Sequence, residues 1–405
     1  MRIFIEPLEP LLFRTGRPFE AGESNFAESL FPPTPETLQG ALRAAIATHW
    51  GNTQRPPLYA LETIFAHSTL LGLIGDRSSY GRLRITGLTL GRRRAGGEIE
   101  RLFPPPASII KASLKTDKNA IQPGEKEALL VTKPQLDQPS QNETNMPVNG
   151  DGRPYALLSP HLSQGYKIAK KASSLQDWLT ARGLQSFLNN DTVLTPEMTV
   201  SPNNIYMREP RLGIGMDTPT QVTKEGYLYQ VSLIRMQEGY GFVLDIAFGD
   251  RANGHNATSS EEPHSEPGEE LHLPPEGWLT LGGEQRAARF RVLTASECKD
   301  EIDNSTQKSG NLLYFATPAY FKHGWLPDDT SILPEGLLTA AINRYQPIGG
   351  WSLEPGSAGG KAKATRRCIP AGSVYYFDQP IQTTRPVTEY GWQIGYGITY
   401  TGEWK

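Results

Sequence analysis

Histidines are the first candidates for chemistry, because imidazole is the usual general base near neutral pH and a frequent metal ligand. The chain contains seven histidines, and no HExxH, HxH or HD pair occurs among them. His49 and His67 lie near the first predicted helical segments, where either residue could serve as a general base. A structural role at a helix end is the favoured interpretation of both. The histidine pattern therefore predicts neither a metal site nor a catalytic site.

The sequence also contains no complete motif for nucleotide binding or for nucleophilic catalysis. The run Gly356–Lys361 ends in Gly-Gly-Lys, but Pro355 and Ala362 occupy positions that a Walker A motif assigns to Gly and to Ser or Thr. Gly395-Tyr-Gly397 lacks the third glycine of a dinucleotide-binding turn. No serine stands in a G-x-S-x-G elbow, and Cys368 has no histidine close to it in sequence. We expect no cofactor, no catalytic residue and no enzymatic activity.

Cations and aromatic side chains remain as candidates for binding. Single-stranded RNA is held by cations at its phosphates and by aromatic faces at its bases. Arg14 and Arg17 alternate with aromatic residues near the amino terminus, and glycine turns elsewhere could bring backbone N–H groups against phosphates. For each arginine the competing interpretation is a solvated or ion-paired surface residue. For Tyr227 and Trp351 it is packing in the core.

The stretch Phe31–Trp50 predicts the helix around which we expect the chain to be organised. Thr34 is the predicted N-cap, with a side chain that accepts from the first-turn donors, and Pro35 suits the first helical position. Apolar residues then recur at helical spacing. Gly40 interrupts the helix, at a cost of about 1 kcal/mol relative to Ala. Either Gly40 lets the helix lie close to a sheet, or a ligand backbone passes next to it.

Most other periodic segments predict strands. The predicted strands are Arg2–Pro7, Gly81–Leu90, Glu98–Phe103, Ala128–Thr132, Lys224–Arg235, Tyr240–Phe248, Trp278–Leu281, Arg289–Leu293, Leu312–Phe315 and Ser373–Phe377, with a glycine-punctuated last strand in Gly391–Tyr400. We expect Lys224–Arg235 to pair with Tyr240–Phe248. A short helix and an apolar turn are expected between Leu58 and Ile74, and further helices at Ser173–Arg182, ended by Gly183, and at Pro334–Ile342.

Length, net charge and cysteine content limit the classes of protein to which the chain can belong. At 405 residues, two domains are the natural expectation. The formal net charge of −3 means that any nucleic-acid site must be a local basic surface. Two cysteines without a CxxC pair predict neither a disulfide framework nor a zinc site, and they suit a reducing cytoplasm. No apolar run of 18 residues occurs, so we expect a cytoplasmic protein that does not enter a membrane.

The order of segments carries a resemblance to a known family. A strand, a basic and aromatic loop, and a proline-started helix with a glycine on one side follow one another at the amino terminus. This arrangement resembles the signature of one RAMP-superfamily subunit of the type III-B (Cmr) CRISPR effector complexes. The resemblance spans nearly the whole length, which makes it far more specific than any single motif. It continues at Arg208–Asp217, Glu225–Tyr229, Leu281–Glu284, Gly349–Trp351 and Pro370–Phe377.

The resemblance implies an α+β fold of two ferredoxin-like (RRM-like) units packed together, with long loop insertions. The first domain is expected at residues 1–205, with a mobile loop at about 111–153. The second is expected at residues 206–405, with an acidic, solvated insertion at about 249–271. The implied function is a non-catalytic RNA-binding subunit that clamps the repeat-derived 5′ tag of the guide RNA. The implied partners are that guide RNA, the large polymerase-like signalling subunit and the backbone RAMP subunit.

The same resemblance predicts which residues contact RNA. They are arginines, a lysine, aromatic residues and glycine turns in the segments of closest similarity, together with a glutamine on the first helix. The predicted set is Arg14, Arg17, Phe19, Gln39, Arg43, Arg208, Arg211, Gly213, Gly215, Lys224, Tyr227, Arg235, Gly349, Gly350, Trp351, Arg366, Arg367, Gly395 and Gly397.

Two other functions stay open at this point. One is a metal-independent RAMP endoribonuclease that matures guide RNA, which would need a catalytic His or a Tyr–Lys group at the scissile phosphate. The other is a purely structural assembly subunit that makes no contact with RNA.

Overall fold

The computed structural model describes most of the chain and divides it into two compact units. The described residues are 1–15, 26–76, 79–116, 125–135, 155–156, 158–160, 166–168, 171–191, 193–217, 219–220, 222–249, 273–298, 302, 309–352, 361–383 and 385–405. Unit 1 comprises residues 1–88, 208–297 and 393–395, and unit 2 comprises 89–207, 298–392 and 396–405. Each unit thus combines segments from both halves of the chain. The predicted boundary between consecutive domains at 205/206 stays a prediction, although the chain also changes unit between Met207 and Arg208.

Strands dominate both units. The helices are α1 (Pro35–Thr53), α2 (Leu61–Ile64), α3 (Ser68–Ile74), α4 (Ala181–Leu188) and α5 (Pro202–Ile205). The strands are β1 (Arg2–Pro7), β2 (Phe26–Glu28), β3 (Leu83–Arg93), β4 (Ile99–Phe103), β5 (Ile109–Thr116), β6 (Glu125–Pro134), β7 (Leu158–Pro160), β8 (Tyr166–Ile168), β9 (Ser173–Ser174), β10 (Trp178–Thr180), β11 (Val193–Leu194), β12 (Thr199–Val200), β13 (Tyr206–Met216), β14 (Thr223–Met236), β15 (Tyr240–Phe248), β16 (Glu276–Leu281), β17 (Arg286–Val292), β18 (Gly310–Phe315), β19 (Ala319–Tyr320), β20 (Leu337–Ala341), β21 (Gln346–Ile348), β22 (Trp351–Ser352), β23 (Lys361–Ala362), β24 (Arg366–Ile369), β25 (Val374–Ile381) and β26 (Thr399–Gly402).

In unit 1, β1 is the central strand of an antiparallel sheet. Ile3 lies opposite Leu244 of β15 on one side and Val292 of β17 on the other. β16 continues the sheet beyond β17, and the first part of β3 lies beyond β15. Ile3 and Phe4 point to opposite faces of the strand, and both are buried. Both faces of β1 are therefore covered, which explains its unbroken apolar run.

Helix α1 confirms the predicted helix and packs against β16. Leu42, Ile46 and Trp50 lie on its buried face. The predicted side-chain cap is wrong: the Thr34 hydroxyl is hydrogen-bonded to the Thr37 hydroxyl at 3.1 Å, while the Thr34 carbonyl accepts from the Thr37 N–H at 3.0 Å. Pro35 starts the helix as expected, because its missing N–H would have no intrahelical partner there.

Gly40 lies on the exposed side of α1. In the described part of the chain, no atom outside the helix lies within 4 Å of the position that a Cβ would occupy. The interpretation that Gly40 lets the helix lie close to a sheet is therefore wrong. The second interpretation, that a ligand passes next to Gly40, stays a prediction.

Strands β13, β14 and β2 form a separate three-stranded sheet in unit 1, which we call the ribbon. β14 pairs in parallel with β2, with Gln230 opposite Phe26. The predicted pairing of Lys224–Arg235 with Tyr240–Phe248 is wrong, since β15 pairs with β1. Gly241 explains the choice of partner, because a Cβ there would lie 2.1 Å from the Ile5 carbonyl oxygen. A glycine in β15 thus allows the close approach of β1.

Unit 2 is organised around a four-stranded sheet of order β20-β25-β18-β26. Tyr314 of β18 and Tyr376 of β25 are fully buried in it. The Tyr314 hydroxyl donates to the Pro104 carbonyl at 2.6 Å, and the Tyr376 hydroxyl donates to the Thr132 carbonyl at 2.9 Å. Each buried hydroxyl is thereby satisfied, which avoids a cost of about 1–3 kcal/mol per unpaired group. Burial raises the pKa of both phenols above the ordinary value.

Two helix predictions in unit 2 are wrong. Within Ser173–Arg182 the chain forms β9 and β10, and α4 begins at Ala181 because the Thr180 hydroxyl caps it, accepting from the Gly183 N–H at 3.1 Å. Gly183 thus lies inside a helix that was expected to end there. Pro334–Ile342 contains strand β20, and its pattern of apolar residues fits either structure. Gly336 decides against the helix, because its φ of +83° is incompatible with helical backbone.

The long loop expected at about 111–153 is partly wrong. β5 and β6 form a hairpin in which Ile109 lies opposite Val131 and Lys115 opposite Glu125. This confirms the strand predicted at Ala128–Thr132. Residues 117–124 and 136–153 lie outside the described residues, as does the acidic insertion from position 250 onwards.

The α+β, strand-rich class is confirmed: 16% of the described residues lie in helices and 45% in strands, which form several separate sheets. Two ferredoxin-like units stay a prediction. Within the described residues, no helix is both long and apolar enough to cross a membrane.

Candidate nucleic-acid interface

Four of the predicted arginines lie on or beside the ribbon of unit 1, in two groups: Arg14 and Arg208 next to β2, and Arg211 and Arg235 at Glu209. We call Arg14, Arg208, Arg211 and Arg235 the ribbon arginines. Arg208 on β13 donates to the Ser29 carbonyl at 3.2 Å and lies 3.0 Å from a carboxylate oxygen of Glu28. Arg14 forms an isolated antiparallel bridge with the same Ser29. The short strand β2 and the residue after it therefore bring Arg14 and Arg208 to one place.

Glu209 joins the other two ribbon arginines. Its carboxylate accepts from Arg211 at 2.6 and 2.8 Å and from Arg235 at 2.5 Å. Hydrogen bonds from Arg235 and then Arg211 lower the pKa of Glu209, so the group is ionised at neutral pH. The two guanidinium groups remain almost half exposed, at 47% and 45% of their side-chain surface. They are held in position but remain open to solvent, as a phosphate-binding group must be.

Apolar side chains stand exposed on the same ribbon. Leu212 is 73% exposed, and Ile214 and Leu228 are each more than half exposed. Gly213 makes room for the ring of Tyr229, since a Cβ at Gly213 would lie 2.2 Å from the Tyr229 Cζ atom. Contiguous exposed apolar side chains usually mark a surface that something covers. The ribbon therefore carries both cations and exposed apolar side chains. On β13, Leu212 and Ile214 share the face of Arg208, whereas Arg211 lies on the opposite face.

Helix α1 presents the predicted residues Gln39 and Arg43. Gln39 is only 7% exposed, and its Nε2 has no hydrogen-bond partner in the part of the chain that the structure describes. Arg43 donates to the carbonyls of Gly75 at 2.6 Å and Asp76 at 3.3 Å, so it holds the turn after α3. Burial lowers the pKa of Arg43, although it stays a cation. Arg43 thus already has a structural role, whereas Gln39 keeps an unused donor.

Arg366 and Arg367 lie on β24 in unit 2, and both stack on tyrosine rings. The guanidinium carbon of Arg366 lies 3.7 Å from the ring centroid of Tyr390 and 5.9 Å from that of Tyr320. The guanidinium carbon of Arg367 lies 5.5 Å from the ring centroid of Tyr345. Because neighbouring strand residues point to opposite faces, the two arginines serve different surfaces of unit 2.

The predicted glycine turns are used in several ways. Gly350 accepts at its carbonyl from the Lys363 N–H at 2.8 Å, and Trp351 pairs with Ala362 between β22 and β23. The Gly397 N–H donates to the Pro318 carbonyl at 2.9 Å, so this donor already has a partner within the chain. Gly395 is buried, with a φ of +102°.

Several predicted residues cannot be placed in full. Arg17 and Phe19 lie outside the described residues. Lys224 and Tyr227 belong to β14 and Gly349 to the segment before β22, but the side chains of the first two are outside the description. Gly215 lies half-buried on β13.

The structural role expected for His67 can be compared with its position in unit 1. His67 precedes α3, and its ring centroid lies 4.6 Å from that of Trp50. Its place at a helix end fits the structural role favoured from the sequence. Among the described residues, no three His, Cys, Asp or Glu side chains come together in a way that could hold a metal ion.

Sequence reasoning missed two features of these surfaces. Glu209 organises Arg211 and Arg235, and the available signal was its position two residues before Arg211, on the same face of a strand. A cavity beside Arg367 was also missed, because its aromatic walls come from distant segments of the chain.

Comparisons with known proteins place the chain in a family. The family model described as "CRISPR-associated protein (Cas_Cmr3)" matches residues 3–404. A search of curated proteins found no match. Solved structures that resemble the chain include "Cryo-EM structure of the Type III-B Cmr-beta bound to cognate target RNA and AMPPnP, state 1" and "Cryo-EM structure of the Type III-B Cmr-beta bound to cognate target RNA". The identities are 17% and 18%, each with a TM-score of 0.43 and coverage of 93% of this chain and 86% of the matched chain.

Since the family model spans almost every residue, the chain belongs to the Cas_Cmr3 family of CRISPR-associated proteins, the Cmr-type family that its sequence resembles.

Proposed function

We propose that the chain is a non-catalytic RNA-binding subunit of a type III-B CRISPR interference complex, and that it clamps the 5′ repeat-derived tag of the guide RNA. The observation that supports this most is the set of ribbon arginines: Arg211 and Arg235 have almost half-exposed side chains, on a ribbon that also carries exposed apolar side chains. Membership of the Cas_Cmr3 family supports the assignment to a CRISPR complex. The proposed partners are the guide RNA, the large polymerase-like subunit and the backbone RAMP subunit.

The ion pairs of the ribbon suit exchange with phosphate. An exposed arginine–carboxylate pair contributes only about 0–1 kcal/mol, so little is lost when a guanidinium turns to another anion. A phosphate offers charge-assisted, bidentate hydrogen bonds of the same geometry. Glu209 therefore keeps Arg211 and Arg235 extended and pre-positioned until RNA replaces it as their partner.

The apolar residues of the ribbon suit unstacked bases. Leu212 and Ile214 are exposed on β13, and the ring of Tyr229 lies against the same strand at Gly213. Sequence-specific RNA recognition mostly uses bases that are splayed out of a stack and packed on such side chains. The open surface at Gly40 supplies a second candidate contact on α1, whereas the Gln39 Nε2 is buried and could meet RNA only after its side chain moves.

The test measures how salt weakens the binding of a short RNA carrying the tag sequence. Each phosphate contact on a single strand contributes about −0.7 to the slope of log K against log salt. Arg208→Ala and Arg211→Ala should each weaken binding and flatten this slope by about 0.7. The matched control is Arg289→Ala, which removes an exposed arginine that pairs with Glu276 in the same unit.

Three outcomes would contradict the proposal. Equal flattening by Arg289→Ala would mean that bulk positive charge holds the RNA. Negligible effects from all three variants would favour the assembly subunit. Specific cleavage of guide precursor by the purified protein, abolished in His49→Ala or His67→Ala, would favour the endoribonuclease.

A further inference from the structure

Unit 2 contains a cavity whose wall includes Arg367 of the predicted RNA-binding set, together with aromatic residues that are not in that set. Its volume is about 510 Å³, and Tyr155, Trp325 and Tyr345 form aromatic parts of its wall. Thr339 of β20 and Ile369 of β24 also line it, and both are buried. Cavities that bind small molecules typically measure roughly 300–1,000 Å³ and are mainly apolar with a few polar groups. The size and lining of this cavity both fit that class.

The aromatic wall is held in place by contacts within unit 2. The ring centroids of Tyr155 and Trp325 lie 4.9 Å apart in an edge-to-face arrangement. The Tyr375 hydroxyl donates to the Trp325 carbonyl, and the Ala156 N–H donates to the Leu338 carbonyl at 3.0 Å. These bonds anchor the two segments that carry the wall. A flat ligand would therefore meet a pre-formed surface, which lowers the entropic cost of binding.

Arg367 supplies the charge at this cavity. Its guanidinium stacks on the exposed ring of Tyr345, and the structure gives it no carboxylate partner among the described residues. An arginine stacked on an aromatic ring keeps its edge N–H groups free to donate. The cavity thus combines flat, apolar walls with a cation that can bind an anionic ligand.

We propose that this cavity binds one unstacked nucleotide, with its base against Tyr155, Trp325 and Tyr345 and its phosphate on Arg367. The inference rests on the proposed function for the source of that nucleotide, which is a single RNA strand. It goes beyond that function by adding a base-stacking site with its own phosphate contact on unit 2 to the contacts proposed on the ribbon of unit 1. Base–aromatic stacking tolerates any sequence, because every base has a π-face.

A proline-rich peptide is the main competing ligand, since such peptides also bind aromatic-lined grooves. Arg367 favours the nucleotide. A proline-rich segment brings no anion to the guanidinium, whereas every nucleotide carries a phosphate next to its base. The two ligands therefore differ in their dependence on Arg367.

The test uses the fluorescence of 2-aminopurine, an adenine analogue that is quenched when it stacks on an aromatic ring. Two probes are titrated into the full chain: a single-stranded RNA with one 2-aminopurine, and 2-aminopurine riboside 5′-monophosphate. Tyr345→Leu should weaken the affinity for both probes, measured by quenching, by about tenfold. This is the size expected for one lost stack. Arg367→Gln should weaken binding of both probes by a similar factor, because it removes the charge-assisted contact to phosphate. Both side chains are exposed, so the variants should fold normally.

Controls separate this inference from the proposed function. Arg385→Gln removes an exposed arginine next to Asp329 in the same unit, and it should change neither titration. Arg211→Ala should weaken binding of the RNA probe but leave binding of the monophosphate unchanged. Quenching of the monophosphate alone would support the cavity as a nucleotide site while the RNA-binding function fails.

Two results would overturn the inference. One is quenching of neither probe, or quenching that both variants leave unchanged, even where RNA binding still depends on Arg211. The other is tight binding of a proline-rich peptide that competes with both probes and does not depend on Arg367.

Discussion

The ribbon arginines and the arginines of β24 use the same side chain in two ways. Arg211 and Arg235 lie against a carboxylate on an exposed strand, at 2.5–2.8 Å from Glu209. Arg366 and Arg367 lie over tyrosine rings, at 3.7 Å and 5.5 Å from the nearest ring centroids. An ion pair in water is weak and screened by salt, whereas an arginine–aromatic stack depends little on ionic strength.

This difference divides the predicted RNA-binding arginines into two groups with different roles. Arginines paired with an exposed carboxylate can exchange that anion for phosphate, so they should account for the salt dependence of RNA binding. Arginines stacked on rings have a second role: Arg366 should act on stability, whereas Arg367 is the phosphate contact proposed for the cavity of unit 2. Arg366 in particular lies between two rings and is half-buried, so its side chain is already engaged within unit 2.

The largest effect is expected when Glu209 is neutralised. Glu209→Gln removes the anion that competes with RNA for Arg211 and Arg235, and it should strengthen tag-RNA binding by about tenfold if each exposed pair contributes roughly 0.7 kcal/mol. The salt slope should become steeper. Glu276→Gln, which frees Arg289 in the same unit, is the matched control and should leave binding unchanged. Weaker binding by Glu209→Gln would mean that the pre-positioning of the two arginines by the carboxylate outweighs its competition with RNA.

A smaller effect is expected at Arg366. Arg366→Gln removes its stack on Tyr390 and should lower the free energy of unfolding by about 1 kcal/mol in chemical denaturation. The slope of RNA binding against salt should stay the same. Arg385→Gln serves as the control for loss of one surface charge. A slope flattened by about 0.7 in Arg366→Gln would instead assign Arg366 to a phosphate, as the sequence resemblance predicts.

The smallest effect concerns the titration of Glu209. Its pKa lies below the ordinary glutamate value, mainly through the hydrogen bond from Arg235 and then through that from Arg211. Since the folded-state pKa is depressed, the stabilisation is present above the unfolded value and is lost as the pH falls through the folded one. Carboxyl titration by NMR should show Arg235→Ala raising the Glu209 pKa more than Arg211→Ala does. The opposite order would make Arg211 the stronger partner.

Local sequence patterns predicted many of the elements but few of their partners. The helix at Phe31–Trp50 and the strand at Arg2–Pro7 follow from periodicity and from proline, both of which act within a few residues. The pairing of β14 was mistaken, because the choice of β1 for β15 depends on Gly241 meeting Ile5 across the sheet. Such contacts between distant segments leave no periodic signal in the sequence.

The candidate site, too, was predicted from the sequence only in part. The resemblance named Arg208, Arg211 and Arg235; Glu209 joins the last two, and Arg208 lies at β2. It could not separate them from Arg43, whose guanidinium is occupied by the Gly75 and Asp76 carbonyls. Whether an arginine is committed to a carbonyl, a ring or an exposed carboxylate depends on tertiary contacts.

The central position of β1 sets the order in which unit 1 can be completed during synthesis. Ile3, Phe4 and Ile5 are synthesised long before their neighbours in the sheet, β15 and β17, which lie more than 230 residues later. At roughly 5–20 residues per second, about 15–60 s pass before Val292 is made. During that time β1 is an apolar strand with two open edges, the kind of segment that pairs with the wrong chain. The time for which β1 stays unpaired during synthesis is therefore set by the sequence separation of its neighbouring strands and not by the length of the chain alone.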